Sequence, residues 1–332
     1  MAAIPVKIVY GGGALFPGQP FGTPAEINHL IDMLLENGIE TIDTAQTYGD
    51  GTSEKLLGES GAVHRINIDT KHCGGWIPGQ SSTEAVISRG RESLKKLKAN
   101  KVTNDLKRSS VPMLTCVQVH TFYIHAPDRS TPFLDTLRGI NELYKEGAFE
   151  RFGISNFTAK EVEEVVNIAR ENNFVLPTVY QGHYSAVSRK LENDLFPILR
   201  KHGIVFYAYS PQAGGFLAKT KAQLVESSIE GRWDASSSAG QLFRSLYSRK
   251  ALLEALDVWG QISAESNIPR AELAYRWITF HSLLGPGDAI IFSASSQRQL
   301  DQTLTGIKQG PLPQSVAERI GSLGAGQRRS PP

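Results

Sequence analysis

Sulfur is scarce in this chain: its 332 residues include two cysteines, Cys73 and Cys116, and three methionines. Two cysteines cannot build a disulfide framework, and neither stands in a metal-binding spacing, so no metal centre is expected. Charge of one sign is also lacking. Lysine and arginine number 35 against 33 aspartates and glutamates, a net of +2. That near balance removes the basic field that nucleic-acid or membrane-surface binding draws on, and neither partner is expected. No apolar run approaches the roughly 20 residues of a bilayer span. The opening MAAIPVKIVYGGG has no basic stretch followed by a long apolar core, so a secretory signal is not expected and a cytoplasmic location is. Missing too is a G-x-G-x-x-G fingerprint. Gly11-Gly12-Gly13 follows a strand-like run without that spacing and reads as a tight loop. At 40% hydrophobic and 20% charged residues, the chain has what a large buried core requires.

What the sequence does hold is an alternation of two apolar patterns. Strand-like runs stand at 7–11 (KIVYG), 39–43, 65–71, 119–125, 151–155, 178–181, 204–209 and 289–293. Between them lie stripes at helical spacing: Ile27, Leu30, Ile31, Leu34 and Leu35; Val162, Val165, Val166 and Ala169; Leu191, Leu195, Ile198 and Leu199. Gly38 closes the first of these helices. Eight strand–helix repeats over this length predict a closed parallel (β/α)8 barrel, a TIM barrel, in preference to an open doubly wound sheet. Residues 1–321 are read as one domain and 322–332 as a disordered tail. A long Gly/Ser-rich excursion, 211–247, follows the seventh strand, and excursions of that length are commonly functional.

Catalysis in such barrels sits at the carboxyl ends of the strands. Those positions here are Asp43, Lys71, His125, Ser155-Asn156, Gln181, Tyr209-Ser210 and Ser293. With Tyr48 they make a coherent set. A tyrosine donates a proton near neutrality only if its pKa, ordinarily about 10, is lowered. A lysine beside it does this by favouring the phenolate, and an aspartate keeps that lysine charged. A neutral histidine can hold a carbonyl oxygen by a hydrogen bond. Together Tyr48, Lys71, Asp43 and His125 polarise a C=O and deliver a proton, with hydride drawn from a cofactor. Taken singly, each has another reading: Asp43 as a turn cap, Tyr48 as a surface aromatic, Lys71 as a solvated strand end, His125 as a buried structural ring. His72, His120 and His183 lie near similar strand ends.

The stretch GIETIDTAQTYGDGTSEKLLGE, followed by IDTK, FYIHAPDRSTPF, GISNFT, YQGHY and YSPQAGG, resembles the aldo-keto reductase superfamily. Within it the chain is most similar to the branch of aflatoxin-aldehyde reductases and their fungal relatives, over roughly residues 6–310. The resemblance implies a TIM barrel and NADPH-dependent reduction of aldehydes or ketones, with a setting in secondary metabolism. It matches Asp43, Tyr48, Lys71 and His125 to the family's catalytic tetrad, Tyr48 being the general acid. It gives Ser155, Asn156 and Gln181 to the nicotinamide carboxamide and Tyr209 to stacking on the ring. Ser210 to Gly215, with Gly214 and Gly215, go to the pyrophosphate, and Ser295 and Gln299 to the adenosine half. The superfamily also contains non-enzymatic barrel subunits of potassium channels, which can keep the tetrad. Monomers and homodimers both occur in it.

Two features depart from the family pattern. Thr303 stands where asparagine often faces adenine, and threonine cannot supply an amide's donor and acceptor together. This leaves the NADPH-over-NADH preference open; Arg298 is a candidate for the extra phosphate or a solvated helix charge. The second is Val102 to Gln118. Removing it yields SLKKLKANKVHTFYIHAPD, which reads through without a seam. Every valine codon begins GT and glutamine can be written CAG, so an in-frame retained intron and a loop insertion at a helix-to-strand turn both account for it. The substrate is expected to be a small carbonyl compound. Phe16, Trp76 and Phe216, with Phe21 and Trp233, point to an aromatic or bulky apolar one.

Overall fold

The computed structural model describes residues 3–99, 118–225, 233–234, 236 and 238–323. Most of the 102–118 segment and most of the 322–332 tail therefore lie outside the described residues, as do parts of the 211–247 excursion.

Eight parallel strands close into a barrel in chain order: β1 (Lys7–Gly11), β2 (Thr41–Asp43), β3 (Asn67–His72), β4 (Val119–Ile124), β5 (Phe149–Ser155), β6 (Pro177–His183), β7 (Val205–Tyr209) and β8 (Ala289–Phe292). The ring is sealed by β8 against β1, with Ala289 opposite Lys7. Helices separate the strands, as the TIM architecture requires. The eight strands fall on the eight runs expected from sequence.

Period two decides what faces where. Even-numbered residues such as Ile42, Ile68, Phe122, Phe152, Tyr180, Phe206 and Ile290 join the core beneath the helices. Odd-numbered Val9, Tyr123, Val179, Tyr207, Ala289 and Ile291 form a separate cluster filling the barrel. The same odd set continues toward the carboxyl ends as Asp43, Lys71, Ser155, Gln181 and Tyr209. One geometric requirement lies in this plug. A Cβ on Gly153, opposite Tyr123, would stand 2.3 Å from the tyrosine ring, so glycine is what lets the ring cross the barrel.

Local signals set the helices. Helix α1 (Pro24–Glu36) starts with a Thr23/Glu26 capping box and proline in its first turn, and Gly38 leaves it at φ 72°. Helix α2 (Thr52–Glu59) and helix α3 (Thr83–Leu97) follow β2 and β3. Ser82 caps α3. The 191–199 stripe is two short helices, Leu191–Asp194 and Phe196–Lys201, rather than one. Pro197 has no N–H to offer the carbonyl four residues back, which breaks the run. Helix α3 ends at Leu97 and β4 starts at Val119, so the flanks of the 102–118 segment lie at the amino-terminal rim of the barrel, away from the strand ends that carry the site.

Candidate active site

Lys71 ends up fully buried because it points inward from β3, and its ammonium is held by three oxygens. It donates to Asp43 Oδ2 at 2.6 Å, to the Thr44 carbonyl at 2.7 Å and to Tyr48 Oη at 3.5 Å. Burial opposes the charge. The Asp43 carboxylate and the Tyr48 oxygen outweigh it and hold the lysine above its ordinary value. Asp43 is fixed from its other side by Gln181, whose Nε2 donates to Oδ1 at 2.8 Å. The tyrosine ring lies across the ammonium, 4.8 Å from its centroid. Gly13 comes close enough that a Cβ there would lie 3.7 Å from the Tyr48 ring, and the Gly12 N–H donates to the Asp43 carbonyl. The contact at Gly13 is an ordinary one; at Gly12, by contrast, a Cβ would stand 3.0 Å from the Asp43 carbonyl, so glycine there lets the end of β1 close on the end of β2.

His125, just past β4, stands edge to face with Tyr48 at 5.8 Å between ring centroids. Burial first, then the charge of Lys71, push its pKa well below 6.5, so the ring is neutral at pH 7. Thr47 Oγ1 lies 3.3 Å from its Nδ1. The other strand-end histidines have different occupations. His72 accepts from the Gly74 N–H, His120 pairs with Asp69 at the start of β4, and His183 bonds Ser188 and Tyr247.

The ends of β4, β5 and β7 are tied together by Asn156. Its Nδ2 donates to the His125 carbonyl and to Ser155 Oγ, and its Oδ1 accepts from the Tyr209 hydroxyl at 2.8 Å. Burial pushes that hydroxyl up to about 12, which keeps it a donor. Beyond β7 the backbone turns repeatedly into the left-handed region, with φ of 55° at Ser210, 52° at Ala213, 67° at Gly214 and 93° at Gly215. Ser210 and Ala213 hold this conformation without glycine's freedom, a strain that concentrates at ligand clamps. The Ala213 and Gly215 N–H groups are spent inside the turn, on the Ser210 and Gln212 carbonyls, and a run of such turns can present its remaining N–H groups to anionic oxygens. After β8, Gln299 accepts from both the backbone and hydroxyl of Ser295. Thr303 is half-buried and Arg298 exposed on the helix Gln297–Lys308.

The aromatic residues divide. Trp76 is 62% exposed and meets His125 edge on at 6.0 Å. Phe16 is half-buried, close to where a Gly49 Cβ would lie. Phe216 departs from expectation: it is fully buried, stacked on Trp233 and Tyr247. Aromatics in the excursion pack on one another, with Trp233 Nε1 bonded to the Gly214 carbonyl, and so brace the loop instead of facing a substrate. The cleft beside His125, about 950 Å³, is walled by Trp76 and Ile77 but otherwise largely polar. Thr44, Thr47, Gln46 and Arg89 thus belong to the neighbourhood without having been singled out from sequence. Thr47 and Gln46 had one signal, their position immediately before Tyr48. Among the described residues no group of three or more His, Cys, Asp or Glu could hold a metal ion, and no helix is long and apolar enough to cross a membrane.

A parallel eight-stranded barrel with a buried lysine–aspartate pair under a tyrosine, all at the strand carboxyl ends, defines the class. Residues 7–325 match the model of the Aldo/keto reductase family. The chain is 37% identical over 310 residues to "Oxidoreductase sirO" of Leptosphaeria maculans, covering 92% of this chain and 88% of that one. It is 38% identical to "Aflatoxin B1 aldehyde reductase member 4" of Homo sapiens, covering 92% and 90%. The fold matches the aldo-keto reductase AKR11C1 from Bacillus halodurans in its holo form, with a TM-score of 0.66 at 20% identity over 96% of this chain and 91% of that one. The chain belongs to the aldo-keto reductase family and is an oxidoreductase.

Proposed function

We propose that this chain reduces aldehyde and ketone carbonyls to alcohols with NADPH, and that Tyr48 is the general acid. The observation that carries the reading is the buried Lys71 ammonium, 2.6 Å from Asp43 and 3.5 Å from Tyr48 Oη, with a neutral His125 across the tyrosine. The substrate oxygen sits between Tyr48 Oη and His125 Nε2. If the Thr47 hydroxyl donates to Nδ1, Nε2 carries the proton and points a donor at that oxygen. Tyr48 passes its proton to the oxygen as the carbonyl is reduced, and Lys71 stabilises the phenolate left behind. Asp43 acts through Lys71: it keeps the lysine charged and in position.

The dihydronicotinamide, when bound, supplies hydride to the carbonyl carbon. Ser155, Asn156 and Gln181 are the residues for its carboxamide, Tyr209 for its ring, Ser210 to Gly215 for the pyrophosphate, and Ser295, Gln299 and Thr303 for the adenosine half. What supports this assignment is the donor and acceptor chemistry of these side chains and the left-handed turns at 210–215.

The test is NADPH oxidation by the full chain over a panel of aromatic and aliphatic aldehydes, beside Tyr48→Phe. Turnover should fall by about a thousandfold in the variant, while NADPH binding, read by its fluorescence, persists. Binding of NADPH with no turnover of any carbonyl would replace this reading with a regulatory barrel subunit.

A further inference from the structure

His183 closes β6 and takes no part in the proposed proton transfer, yet both of its ring nitrogens are engaged. Nδ1 lies 3.1 Å from Ser188 Oγ and Nε2 lies 3.1 Å from the Tyr247 hydroxyl. Burial pushes the ring down to about 4, so it is neutral at pH 7, with one donor and one acceptor nitrogen. A phenol donates better than it accepts. The tautomer that satisfies both contacts therefore has Tyr247 donating to Nε2 and Nδ1–H donating to Ser188. The same ring backs Tyr209, at 5.6 Å between centroids with the planes tilted by 39°. Tyr209 is tied at its other end, where its hydroxyl donates to Asn156.

Tyr247 stands 64 positions from His183, at the end of the helix Ser238–Tyr247. Its ring stacks on Phe216 at 5.2 Å and meets Trp233 at 5.9 Å. Trp233 in turn donates from Nε1 to the Gly214 carbonyl at 2.9 Å. An unbroken series of contacts thus runs from Tyr209 through His183, Tyr247 and Trp233 to Gly214. Its two ends are the ring proposed to stack on the nicotinamide and the turn proposed for the pyrophosphate. The direct link between those ends is short but strained, since Ser210 and Ala213 both lie in the left-handed region. Backbone of that kind persists only where its surroundings over-determine it. The histidine–tyrosine bond supplies such a constraint from outside the turn.

We propose that His183 is a positioning residue for the cofactor: through Tyr247 it holds the strained turn after β7 and the Tyr209 ring in one fixed relation, so that the two ends of the nicotinamide–pyrophosphate unit are gripped together. This rests on the carbonyl-reductase reading for where the dinucleotide lies. Fixing that relation matters to a ligand that reaches both places, and little to one that reaches the turn alone.

The test is calorimetric titration of the full chain with two probes: NADPH, and 2′-phospho-ADP-ribose, which keeps the adenosine and pyrophosphate but has no nicotinamide. Tyr247→Phe removes one hydroxyl and leaves the ring stack. His183→Asn keeps a group on the Nδ1 side only, whereas His183→Gln keeps an acceptor near Nε2. Tyr247→Phe and His183→Asn should each weaken NADPH by about fivefold to tenfold and the nicotinamide-free probe by about twofold or less, with His183→Gln within about twofold of the natural chain for both. Unchanged NADPH affinity in Tyr247→Phe overturns the proposal, whatever happens to its urea midpoint, because a purely structural bond would move the midpoint alone. Equal weakening of the two probes overturns it as well, since the bond then props the turn without coupling it to Tyr209. A natural chain that binds NADPH and reduces no carbonyl ends the reductase reading and leaves these affinity ratios to decide the coupling. A natural chain that binds no NADPH ends both.

Discussion

Thr47 Oγ1 lies 3.3 Å from Nδ1 of His125, so the residue just ahead of the tyrosine steers the ring that faces it. A neutral imidazole has one donor and one acceptor nitrogen, and its partner decides which is which. Thr47→Val keeps the shape and removes the hydroxyl. The chain should fold with unchanged stability, while kcat/KM for aldehydes falls about fivefold to tenfold, mostly through KM. Thr47→Ser should restore most of the loss. Nitrogen NMR of the ring should show a mixture of tautomers in the valine variant. An unchanged kcat/KM would mean that His125 is oriented without Thr47.

Replacing Asp43 by asparagine isolates the electrostatics beneath the tyrosine. The change leaves Lys71 buried without its counter-ion, and breaking one side of such a pair costs about 3–5 kcal/mol while the lysine stays charged. Two slopes then distinguish the chains. Lys71 in the natural chain titrates above its ordinary value. Its contribution is therefore fully present below the unfolded pKa and lost only as pH rises through the folded one, so unfolding free energy should not respond to this group between pH 7 and 9.5. In Asp43→Asn burial dominates and the lysine's pKa falls below the unfolded value. The unfolded chain then binds more protons at this group, and stability should rise with pH over the same window. Urea unfolding at four or five pH values reads both slopes, and matching slopes would show that Asp43 is not what keeps Lys71 charged.

Much of this architecture was legible in advance, and the reason is periodicity. Runs such as KIVYG and AIIFS carry apolar residues on both faces, as buried parallel strands must, and Asp43, Lys71 and Gln181 interrupt the pattern only at strand ends. The polar interruption was the readable sign. Phe216 was misread because an aromatic in a Gly/Ser-rich loop looks like a pocket wall, whereas its partners Trp233 and Tyr247 come from elsewhere in the same excursion. Thr47 had its place before Tyr48 as a sign, but not its task. Its role depends on a ring 78 positions away, and no local pattern reports such a contact.

His72 gives the structure an acid-sensitive point outside the proposed chemistry. It lies at the end of β3, fully buried, accepting the Gly74 N–H on Nδ1, with the backbone of Gln80 as a further neighbour of the ring. Burial, reinforced by the charge of Arg89, lowers it to about 4 from the ordinary 6.5. Between those two values the unfolded chain holds the proton and the folded chain does not. The neutral ring's contribution is thus complete above pH 6.5 and is lost as pH falls toward 4, a loss on the order of 3 kcal/mol. His72→Asn keeps an acceptor for the Gly74 N–H and has nothing to titrate. Its unfolding free energy should therefore fall less steeply than that of the natural chain between pH 6.5 and 4, the two curves converging as the pH drops. Parallel curves over that interval would mean that His72 becomes protonated within the fold at little cost, with water reaching Nε2.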